Sequence, residues 1–223
     1  MPIFDRMSAK GAAVVAAFGV LALSGCDANG EFAGRSAFGH GPVTALRVAQ
    51  NSVTVVGPSG YCIDKSGSRD RERGSFVLLG SCATLNGEPE GPTAPGVLTA
   101  LVSPETDQPQ APTAAQLERF LRSTSGRAAL SHDNRADTVT LLDIRRDGDV
   151  LLLKVRDRST GRPDDLQDTS WRAVLAMKNR LVALSVHSHE AVPMTDAQMR
   201  RTLDRFLAAM RAANAAPVSD QDA

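Results

Sequence analysis

Val139-Thr140-Leu141-Leu142-Asp143-Ile144, Val150-Leu151-Leu152-Leu153-Lys154-Val155, Trp171-Arg172-Ala173-Val174-Leu175-Ala176-Met177 and Leu181-Val182-Ala183-Leu184-Ser185-Val186 follow one another in the second half of the chain. Each run is short, apolar and partly alternating, which is the period-two signature of a strand with one face turned to a core. Asp147-Gly148 parts the first two runs and Lys178-Asn179 the last two, and both pairs favour tight turns. Four antiparallel strands are the expectation. The link 157–170, polar and broken by Gly161 and Pro163, reads as an exposed loop.

Helices flank this block. Thr113 and Gln116 have the Thr-x-x-Gln spacing of a capping box, and Leu117, Phe120 and Leu121 supply one apolar face. That helix is expected to end near Gly126, with 127–130 adding a further turn. Thr195 and Gln198 repeat the box ahead of Met199, Leu203, Phe206, Leu207 and Met210, which share one side at helical spacing. The closing helix should lie across the sheet and stop at Asn214 and Pro217, leaving 215–223 as a polar tail.

In the first half, 43–48 and 52–56 read as two short strands, stopped by Gly57-Pro58-Ser59-Gly60. Tyr61-Cys62-Ile63 and 76–79 read as strands around a charged loop, 65–74. Its Arg69-Asp70-Arg71-Glu72-Arg73 alternates in sign, as a solvated surface does. Another strand, 97–102, lies between Pro- and Gly-rich stretches. The sum is an α+β domain spanning 43–214, an antiparallel sheet packed against helices.

The start of the chain has another character. Arg6 and Lys10 precede an apolar run, 11–23, in the order of a secretory signal. The run falls short of the roughly 20 apolar residues that cross a bilayer. Leu23-Ser24-Gly25-Cys26 closes it and resembles the lipobox of bacterial lipoproteins. That resemblance implies cleavage after residue 25 and a diacylglyceryl group on the Cys26 sulfur. Several acyl chains anchor a protein durably where one does so only marginally. Asp27 is similar to the signal that keeps enterobacterial lipoproteins in the inner membrane, so the periplasmic face of that membrane is expected. Residues 27–42, rich in Gly, Ala, Ser and Asn, read as a flexible tether.

With Cys26 lipidated, Cys62 and Cys82 are left as a pair, and in an oxidising compartment such a pair forms a disulfide. The 25 basic and 25 acidic residues cancel to a net charge of +0, which removes the long-range field that nucleic-acid binding requires.

Candidate chemistry is sparse. His187 and His189, two apart on the last strand, share a face opposite Val182, Leu184 and Val186 and offer a metal two imidazoles, with Glu190 as a further ligand. His132 lies in a polar turn with Asp133 and Asp137. Asp164, Asp165 and Asp168 form a carboxylate cluster without the spacing of a calcium loop. Trp171 reads as a core or rim residue. No nucleophile elbow, zincin helix, Walker loop or dinucleotide fingerprint occurs, so no catalytic residue and no cofactor is assigned.

Pro58-Ser59-Gly60-Tyr61, together with the element order from Thr113 to Asn214, loosely resembles the PsbP and Mog1-like fold, an antiparallel sandwich also used by bacterial lipoproteins. Gly60-Tyr61-Cys62-Ile63-Asp64 with 76–82 is similar to a group of uncharacterised alphaproteobacterial lipoproteins. The expectation is a lipid-anchored, non-enzymatic accessory module that contacts an envelope protein. The alternative is an envelope hydrolase or metal-binding protein using His187 and His189.

Overall fold

The computed structural model describes residues 43–87, 96–105 and 111–215, all within one compact unit, His40–Ala223. The expected signal 1–25, the lipidation site Cys26, the tether 27–42 and the tail after 215 lie outside the described residues.

Two antiparallel sheets form. β1 (Ala45–Val48) and β2 (Val53–Val56) make a small hairpin sheet. The large sheet contains β3 (Tyr61–Arg71), β4 (Gly74–Ser81), β5 (Gly96–Val102), β6 (Val139–Asp147), β7 (Val150–Asp157), β8 (Leu166–Met177) and β9 (Arg180–His189). Its order is β3-β4-β5-β9-β8-β7-β6, so the last strand is inserted at the centre between the two halves of the chain. The helices are α1 (Cys82–Leu85), α2 (Ala114–Arg122), α3 (Thr124–Leu130) and α4 (Asp196–Asn214).

Alternation sends side chains to two faces. On the first, Val77, Leu79, Leu98, Ala100, Val182, Leu184 and Val186 are buried against Met199, Leu203, Phe206 and Met210 of α4. Each fully buried side chain of this size contributes about 1.5–3 kcal/mol, which is why α4 lies flat on the sheet. Its start is fixed by the Thr195 and Gln198 capping box, present in both directions. Trp171, 3% exposed, donates its indole N–H to Asp196 Oδ1 at 2.8 Å, while Lys154 Nζ reaches the same oxygen at 2.6 Å and Arg200 lies 5.3 Å from the ring centroid.

On the second face, Leu117 and Leu121 of α2 and Leu130 of α3 cover Val139, Leu151, Leu153 and Val155. This roof spans only the β6–β8 end. Among the described residues it does not extend over β5, where Leu101 is 49% exposed.

Several expectations change. The charged stretch 65–74 is largely strand: β3 runs to Arg71 and pairs with β4 as a hairpin. A register shift between Asp64 and Arg69 takes up the extra residues, held by Asp64 Oδ1, which accepts from the Ser66 and Gly67 amides at 2.8 and 3.1 Å. The link 157–170 is shorter than expected because β8 starts at Leu166. The β6–β7 turn falls one residue later, on Gly148-Asp149, with Gly148 at φ 59°. The first helix ends at Arg122, where Ser123 caps it and starts α3 by accepting from the Gly126 amide at 3.1 Å. Gly126 lies inside α3, and a Cβ there would lie 1.9 Å from the Phe120 carbonyl oxygen. Cys62 and Cys82 are bonded as expected, Cys62 within β3 and Cys82 at the start of the short α1.

Side-chain hydrogen bonds tie the hairpin sheet to the rest. Arg180, 6% exposed, donates from Nε to Ser52 Oγ at 2.9 Å and from Nη1 to the Ser103 carbonyl at 3.2 Å. Asn214, at the end of α4, accepts from the Thr54 amide at 2.9 Å and donates to the Thr54 carbonyl at 2.8 Å. The β1–β2 turn carries three successive left-handed residues, Ala49, Gln50 and Asn51, at φ 54°, 60° and 65°. None is glycine. The Ala49 amide donates to Asp70 Oδ1 at 3.1 Å and the Ser52 hydroxyl to the Ala49 carbonyl at 2.6 Å, which holds the turn in place.

Candidate functional site

The Lys178-Asn179 turn, with both residues at positive φ, pairs Met177 with Arg180 and thereby sets the register of β8 and β9. In that register Arg172 lies opposite Ser185 and Ser170 opposite His187. The four residues share the second face, since Trp171, Ala173, Leu184 and Val186 between them point to α4. Two cross-strand polar pairs therefore sit at the middle of the sheet, where the helical roof stops.

They line a cavity of about 260 Å³. Phe76, Thr99 and Leu101 of β4 and β5 form its floor on one side. Leu130, Ser131 and His132 after α3 close another side, and Arg162, Pro163, Leu166 and Gln167 before and within β8 close a third.

The charged groups are held by the frame. Arg172 donates from Nη1 to the Leu130 carbonyl at 3.0 Å and from Nε to Ser170 Oγ at 3.3 Å. Arg162 Nη1 donates to the Gln167 carbonyl at 2.8 Å, while its Nε is buried without a hydrogen-bond partner. Asp157, 6% exposed, accepts from the His132 amide at 3.2 Å and the Ser159 amide at 2.9 Å. Burial lowers the pKa of Arg172, and the Asp157 charge opposes that shift. Burial also lowers the pKa of His187 from 6.5 to about 3, helped by the positive charges of Arg172 and Arg162 and opposed by Asp157. The imidazole is neutral at physiological pH.

No protein-family model, no curated protein and no solved structure matches the chain.

The residues singled out in the sequence are dispersed. His187 and His189 do share a face of β9, yet they line different cavities: His189 and Glu190 border a second one of about 560 Å³ beside Leu78, Leu85 and Val192. His189 Nδ1 lies 3.5 Å from Asp165 Oδ2. Among the described residues no group of three or more His, Cys, Asp or Glu side chains converges to hold a metal. His132 reaches the first cavity, whereas Asp133 organises its own turn by accepting from Ser131, Thr138 and the Arg135 amide. Asp137 pairs with Arg135, and Asp168 lies 3.5 Å from both Arg156 and Arg158. Arg172, Ser170, Ser185 and Arg162 escaped notice in the sequence. Ser170 and Arg172 on one strand and Ser185 and His187 on the next carried a signal, polar residues two apart in otherwise apolar runs, whereas Arg162 lies in the loop before β8 and carried none.

Proposed function

We propose that the chain is a lipid-anchored envelope protein, tethered through Cys26 at the periplasmic face, with the inner membrane favoured by Asp27. Its domain is a non-enzymatic accessory module that works by binding and serves an envelope protein partner. The anchor is supported by Leu23-Ser24-Gly25-Cys26 at the end of an apolar run behind Arg6 and Lys10. Its sheet, with helices on both faces, supports the resemblance to the PsbP and Mog1-like sandwich.

One observation carries binding over chemistry. A side chain that shuttles protons works best with a pKa near ambient pH, and His187 in the central cavity has been moved to about 3. Arg172 and Arg162, held by the frame beside that imidazole, suit recognition of an anionic ligand.

Metabolic labelling with an alkyne palmitate tests the anchor. The full-length chain should take the label and sediment with membranes, and Cys26→Ser should lose both properties. An unlabelled wild-type chain that fractionates like Cys26→Ser overturns the reading.

A further inference from the structure

Folded proteins leave few buried polar groups without partners, and each exception calls for a reason. One such group borders a cavity here, and further polar groups without a described partner line the same cavity. Arg162 Nε is buried and unpartnered. Arg172 commits Nε and Nη1 to Ser170 and Leu130, and among the described residues its Nη2 has no acceptor. No described group hydrogen-bonds the Ser185 hydroxyl or the His187 ring nitrogens, although both residues line the same cavity. The carboxylates nearby are already engaged. Asp157 accepts from two backbone amides, and Asp168 lies between Arg156 and Arg158.

We infer that this cavity binds a small organic monocarboxylate, its carboxylate held by Arg172 and Arg162 with Ser185 and His187, and its apolar body against Phe76 and Leu101. Guanidinium donors suit a carboxylate because charge-assisted hydrogen bonds are roughly twice as strong as neutral ones. A dianion such as phosphate fits less well. Asp157 and Asp168 on the same lining repel a second negative charge, and the apolar walls of Phe76, Leu101 and Leu130 would face water. At about 30 Å³ per water-sized group, the volume of about 260 Å³ suits roughly nine non-hydrogen atoms, the size of hexanoate or benzoate. This inference rests on the binding half of the proposed function and is independent of the anchor.

The test uses the full mature chain reconstituted in nanodiscs, with carboxyl-labelled ¹³C-hexanoate as probe and hexanamide and inorganic phosphate as comparisons. Hexanoate should bind saturably, shift its carboxyl resonance and give intermolecular NOEs to the Phe76 ring and the Leu101 methyls. Hexanamide and phosphate should each bind at least tenfold more weakly. Arg172→Gln should weaken hexanoate at least tenfold. Because Arg172 also holds the Leu130 carbonyl, Ser185→Leu, which fills the cavity and leaves that bond intact, serves as a second variant with the same expected loss. Equal binding of hexanamide, tighter binding of phosphate, NOEs elsewhere, or hexanoate binding that both variants leave unchanged overturns the inference. Absence of saturable hexanoate binding by a chain that still labels with palmitate overturns the ligand and leaves the anchor standing.

Discussion

Mild acid should weaken this fold through one imidazole. His187 has a folded pKa of about 3 against 6.5 when free, so below pH 6.5 the unfolded chain binds a proton that the folded chain refuses. The associated stability is fully present above pH 6.5 and is lost progressively as pH falls towards 3. Its slope is about 1.4 kcal/mol per pH unit, which amounts to about 2 kcal/mol between pH 6.5 and pH 5. This figure is an upper bound, because His187 lines a cavity that water reaches. Carboxylates act in a lower window. Asp64, Asp133, Asp137 and Asp196 all have pKa values held below 3.8, so their contributions remain until the pH falls below that value. Urea titrations at pH 7, 6 and 5, followed by the fluorescence of the single, buried Trp171, measure the effect. His187→Gln should be nearly flat where the wild type falls. Equal slopes in the two proteins, or a His187 ring resonance titrating near pH 6.5, would refute the reasoning.

Three further outcomes are expected. Replacing Cys62 and Cys82 together by Ser opens a crosslink of sequence separation 20 and should cost roughly 3 kcal/mol by the loop-entropy model. Thermal unfolding should read this as a fall of about 6–12 °C. Gly126→Ala should destabilise by about 3 kcal/mol or more, because the new methyl meets backbone at Phe120 and Leu121; a neutral result in urea would mean that α2 and α3 are not so closely joined. Gln50→Gly should stabilise by about 0.5–1 kcal/mol, since Gln50 is exposed at φ 60°, and chemical denaturation should show the midpoint rise.

What was legible in the sequence follows from which face each residue serves. β6 to β9 announced themselves because their alternate residues enter a core, and both capping boxes were legible because Thr113 and Thr195 bond within their own first turns. β3 was hidden because it is an edge strand whose Lys65–Arg71 half buries no core residue and is held by backbone bonds to β4. Charges along such an edge look like a loop. The α2–α3 break was hidden because it depends on a close approach at Gly126 that only the folded chain reveals. The candidate site was half legible. His187 was visible as an unusual residue on a strand, but its partners Arg172 and Ser170 arrive from the neighbouring strand, and the register that unites them has to be worked out from the turn at Lys178-Asn179.

Asn214 offers its carboxamide to both backbone groups of Thr54, so a helix end stands in for a third strand beside the hairpin. An open strand edge is a template on which another copy can add. A neighbouring copy that approached this side of the hairpin would find the Thr54 amide and carbonyl already taken.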